Sequence, residues 1–110
     1  MEIKYTNKDL DKRAIYKHTR AAGVSLKDVE DGIKIVPVEI CIYEDSNSRG
    51  DNVTITSIVA EDGKHYVTNS QFFREEFEYI IDLMAGEEFA VVLKKAVSKG
   101  GRTFVTCELA

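Results

Sequence analysis

The sequence has no tryptophan, one proline, two cysteines and two histidines among its 110 residues. No apolar run approaches the ~18 residues that a membrane-spanning helix needs, and the opening stretch MEIKYTNKDLDK is polar, so neither a membrane span nor a secretory leader is expected. A cytoplasmic protein is the default. Cys41 and Cys107 lie in apolar, strand-like runs with no CxxC pair and no neighbouring histidine, which argues against a disulfide framework or a thiolate metal site. His18 and His65 stand far apart in the chain, and the one glycine pair, Gly100-Gly101, fits a hairpin better than a phosphate-cradling loop. No metal and no other cofactor is expected. Nothing near either thiol would lower its pKa, so a nucleophilic enzyme is not expected either. The length allows a single core and hence one domain.

What the chain does have is clear patterning. Residues 33 to 43, IKIVPVEICIY, are nearly all apolar or β-branched, and the polar stretch 44 to 52 closes them off. Pro37 cannot donate to a sheet ladder, and the apolar phase changes across it: Ile33 and Ile35 alternate on odd positions, Val36, Val38, Ile40 and Ile42 on even ones. A bulge is the simplest way to swap faces there. Strands over 53 to 59 and 65 to 68 follow, with a turn at Asp62-Gly63 between them, making a meander. From Ser70 the period lengthens: Phe73, Phe77, Ile80, Ile81 and Met84 share one helical face, while Glu75, Glu76, Glu78 and Asp82 look away. Asn69 or Ser70 supplies the N-cap and Gly86 the stop. Phe72, Phe73, Phe77 and Phe89 are assigned to the core. Strands over 88 to 97 and 102 to 109 form a closing hairpin. The order β-β-β-α-β-β predicts a mainly β chain with one helix, folded as a five-stranded OB-fold-like Greek-key barrel over residues 33–110. Residues 1–32 are read as an N-terminal arm packed on it.

A formal charge of −4 weighs mildly against a polyanion ligand until the charges are placed. Nine of the 15 cations fall in two windows, 12 to 27 and 94 to 102, that hold no carboxylate, while residues 71 to 88 hold six acids and only Arg74. Proteins that bind single strands pair a cationic groove with aromatic faces on which bases stack. The candidate contacts are Arg13, Lys17 and Arg20 in the arm, Arg49 in the loop after the first strand, and Lys94, Lys99 and Arg102 in the hairpin. Candidate stacking platforms are Tyr16, Tyr43, Tyr66 and Phe104. Phe104 alternates away from Val105 and Cys107, so it faces either a base or a covering segment such as the helix.

Several stretches together resemble the single-stranded-DNA-binding proteins of phages of Gram-positive bacteria. They are Asp31-Gly32-Ile33 opening the first strand, the Thr-rich alternation from Val53 to Ile58, Glu61-Asp62-Gly63 followed by Tyr66, Tyr79-Ile80-Ile81-Asp82-Leu83 late in the helix, and Ser98-Lys99-Gly100 before the last strand. Tyr16-Lys17-His18-Thr19-Arg20 is similar to the opening of such proteins. The resemblance implies non-enzymatic coating of displaced DNA strands during phage replication, with little sequence preference, in the host cytoplasm. The choice of DNA as partner rests on it. A second expectation is that the acidic helix docks a replication protein, or that the domain is an interaction or inhibitory module acting on a host or phage protein through that helix.

Overall fold

Along the chain, described in full from Met1 to Ala110 by a computed structural model, the elements are β1 (Glu2–Thr6), α1 (Lys12–Arg20), β2 (Val24–Ser25), β3 (Lys34–Ile35), β4 (Pro37–Ser46), β5 (Asn52–Ala60), β6 (His65–Thr68), α2 (Gln71–Met84), β7 (Val91–Val97) and β8 (Thr103–Leu109). A single 3-10 turn, Leu26–Asp28, follows β2. The strands form two sheets, one ordered β1-β4-β5-β6-β2 and the other β3-β7-β8.

The long apolar run behaves as Pro37 requires. It breaks at Val36, so that β3 pairs with β7 while β4 pairs with β5, and the β4–β5 register shifts between Pro37 and Glu39. The change of phase lets Ile35 on one side and Ile40 and Ile42 on the other all reach the same core. That core lies between the two sheets and α2, with Phe73, Phe77 and Ile80 of the helix packed against Ile58, Val91, Leu93 and Val105. Ser70 is the N-cap. Its hydroxyl oxygen accepts the Phe73 N–H at 3.2 Å and donates to the Val105 carbonyl at 2.7 Å, tying the helix start to β8. No helix is long and apolar enough to cross a membrane.

Three expectations need correction. The chain has two helices, not one, because the segment read as an arm contains α1 as well as β1, which adds to the edge of β4. The barrel is not closed: β6 and β8 do not pair. Instead β2 pairs in parallel with β6, and the 3-10 turn carrying the fully buried Leu26 contacts both β6 and β8. An apolar plug thus stands where ladder hydrogen bonds would close a barrel. Phe72 is not in the core. It precedes the buried helical stripe by one residue and stays more than half exposed on α2.

Candidate nucleic-acid interface

Helix α1 is short and strongly two-sided. Asp11 caps it, accepting the Ala14 N–H at 2.8 Å. At 100° per residue, Lys12, Arg13, Tyr16, Lys17 and Arg20 fall within an arc of about 140°, and Ala14, Ile15, His18 and Thr19 occupy the rest. All five residues of the first set are exposed, and none of the four cations is held in an ion pair. Tyr16 is 68% exposed, with Lys12, Arg13 and Arg20 at the neighbouring helical positions i−4, i−3 and i+4. The arrangement is an open aromatic ring flanked by unpaired positive charge.

The other side of α1 is held to the outer face of β4 and β5 by polar groups. His18 is buried, its Nε2 3.0 Å from Glu39 Oε1 and its Nδ1 2.7 Å from Ser57 Oγ, while Ser57 Oγ lies 2.7 Å from His65 Nε2. The single hydroxyl proton fixes the order of donors when both rings are neutral. His18 Nε2–H donates to the carboxylate, Ser57 O–H donates to His18 Nδ1, and His65 Nε2–H donates to Ser57 Oγ. His65 Nδ1 is then a bare acceptor, and it has no partner. Burial, reinforced by the nearby His18 and Lys17, holds the His65 pKa below the usual imidazole range. Glu39, His18 and Ser57 have the order of a hydrolytic triad, yet Ser57 is fully buried, which denies a substrate any approach. The two thiols are no better placed as nucleophiles. Burial raises both, and Cys107, with Glu76 and Glu108 adding, is pushed up to about 12.

The remaining candidate residues are dispersed. Arg49 is exposed in the β4–β5 turn, whose Asn47 Oδ1 accepts from the backbone N–H of Arg49 and Asp51. Lys99 and Arg102 are exposed at the β7–β8 turn, at the end of the other sheet from α1. Lys94 lies 4.0 Å from Glu108, and Lys95 is committed to the Lys27 carbonyl at 2.8 Å. Tyr43, 4% exposed, lies on the α1-covered face of β4, and burial raises its hydroxyl pKa, with Asp45 adding and Arg20 opposing. Tyr66, 6% exposed, is part of the core. Phe104 is half-buried against Phe72, ring centroids 4.5 Å apart. Of the four aromatic candidates, only Tyr16 presents an open face.

The histidine–serine chain escaped sequence reasoning because its members are 39 and 8 residues apart. A signal was nonetheless present: His18 shares the Ala14 side of α1, a polar residue on the side that packs.

A small two-sheet, mainly β domain with a cationic helix laid across one sheet is a class suited to a polyanion. A family model described as phage single-stranded DNA-binding protein matches residues 5–110, nearly the whole chain. The chain belongs to this phi29-type family of phage single-stranded DNA-binding proteins, a non-catalytic family. No curated protein and no solved structure matches it.

Proposed function

We propose that the protein binds and coats single-stranded DNA during phage replication in the host cytoplasm, with little sequence preference, through the exposed face of α1. Tyr16 stacks on a base, and Arg13, Lys17 and Arg20, joined by Lys12, neutralise phosphates. Arg49, Lys94, Lys99 and Arg102 lie apart from α1 and are further phosphate contacts only for a strand that runs beyond the helix. The observation that carries this reading is the open Tyr16 ring ringed by unpaired cations. Tyr43 lies beneath α1, Tyr66 is part of the core and Phe104 is half-buried against Phe72, so none of the three offers a base an open face as Tyr16 does. The succession β4–β5–β6–α2–β7–β8 supports reading the domain as an opened version of the OB plan, in which the side of β5 and β6 that carries Ser57 and His65 beneath α1 is the one used for oligonucleotides.

The test is direct titration of tyrosine fluorescence, since the chain has five tyrosines and no tryptophan. Oligo-dT is expected to quench at low salt and lose affinity as salt rises, with duplex DNA weaker. Absence of quenching by any single strand at low salt would overturn the reading. A second reading, docking of a protein on the acidic α2, is favoured by one observation: Phe72 and Tyr79 are exposed beside carboxylates.

A further inference from the structure

The outward side of α2 carries an aromatic, acidic cleft that DNA binding leaves unused. Its floor is the Phe72–Phe104 pair, rings inclined at 37°, and Tyr79 stands two turns along the helix from Phe72. Glu75, Glu76 and Thr106 complete a lining of six residues around an open volume of about 500 Å³. Phe72 is 56% exposed and Tyr79 63%. The carboxylates have little to do within the chain. Glu75 accepts one hydrogen bond from Gln71 at 2.8 Å, and Glu76 has no hydrogen-bond or ion-pair partner. Arg74, the one cation on α2, is 3.7 Å from Glu78 rather than in the cleft. Lys94, cross-strand from Thr106, approaches Glu108 instead.

Aromatic faces carry negative quadrupole charge, so rings and carboxylates here act with one sign: they repel phosphate and attract a cation. Between the two cationic side chains, the planar, weakly hydrated guanidinium suits the site better than the compact ammonium, because it stacks on a ring while its edge donates to carboxylates. We propose that this cleft binds an arginine side chain presented by a partner protein, stacked on the exposed ring of Phe72 or Tyr79 and hydrogen-bonded to Glu76 and Glu75. It deepens the second reading of α2 by fixing the residues and the partner's chemistry. It also leaves α1 free, so that one molecule can hold a DNA strand and a protein at once.

A blocked hexapeptide of alternating glycine and arginine, titrated into the isotopically labelled full chain and followed by amide chemical shifts, tests this. Saturable shifts are expected at Phe72, Glu75, Glu76, Tyr79, Phe104 and Thr106, and the lysine analogue is expected to bind more weakly. Glu75→Gln with Glu76→Gln, and separately Tyr79→Ser, are expected to weaken the arginine peptide by about tenfold, the scale of one charge-assisted contact. Both variants change exposed side chains, and both are expected to keep oligo-dT affinity, which separates this outcome from failure of the DNA reading. Three results would overturn the proposal: shifts spread evenly to Asp82, Glu87 and Glu88; equal binding of arginine and lysine peptides; or self-association of the chain alone that the same variants abolish, which would put another copy in the cleft.

Discussion

Ser57 shows how much one small side chain can hold. Its hydroxyl is the common partner of two buried imidazoles on two different elements. Ser57→Ala leaves His18 Nδ1 and His65 Nε2 facing each other with nothing between, so a loss of about 2–3 kcal/mol is expected from urea unfolding, at the upper end for orphaned buried polar groups. His65 gives a pH dependence of definite sign. Its folded pKa is depressed, chiefly by burial, so as pH falls through the ordinary imidazole range the unfolded chain takes up a proton that the folded chain resists. Stability is therefore expected to fall as pH drops through the ordinary imidazole value of about 6.5. His65→Gln is expected to flatten that slope, and an unchanged slope would show that His65 is not its source. At this scale the sequence was only partly legible. Tyr43 lies on the side of β4 opposite Ile40 and Ile42, but whether that side is open depends on α1, which no local pattern around Tyr43 reports.

Among the elements, α2 was legible because its stripe of Phe73, Phe77 and Ile80 repeats at helical spacing over about two turns. Its end is less regular. Ala85 adopts a left-handed conformation, φ 49° and ψ 45°, ahead of Gly86. A Cβ is disfavoured there, and Ala85→Gly is expected to stabilise the protein by about 0.5–1 kcal/mol, read as a raised urea midpoint. Helix α1 was hidden for the opposite reason. Nine residues are too few to be helical alone in water, and its packing side contains a histidine in place of a hydrophobe, so its fold depends on Ser57 and Glu39, distant in the chain. The two residues of β2 are likewise too few to give a pattern, whereas β3 falls within the apolar run already read as strand. The bend at Pro37, by contrast, was written locally in a phase change and a missing donor.

For the whole molecule, the sequence order pointed to a barrel, but closure depends on whether the edges of β6 and β8 meet. They are kept apart by a segment from the other end of the chain, with Leu26 as its apolar anchor. The charge was readable at the level of windows. The net −4 conceals a cationic helix on one sheet and an acidic helix whose four carboxylates, Glu75, Glu76, Glu78 and Asp82, are only partly paired. On the proposed function, the opposite charge of α1 and α2 is expected to orient a DNA strand toward α1 before any contact forms. The measurement that bears most directly on this is binding of labelled oligo-dT across a salt series for three chains: unaltered, Tyr16→Ala, and Arg13→Gln with Arg20→Gln. Tyr16→Ala is expected to weaken binding by about 1–3 kcal/mol with the salt slope unchanged. The double arginine variant is expected to reduce the slope by about 1.4, at roughly 0.7 per phosphate released. Folded variants that bind with unaltered affinity and unaltered slope would contradict α1 as the DNA-binding surface.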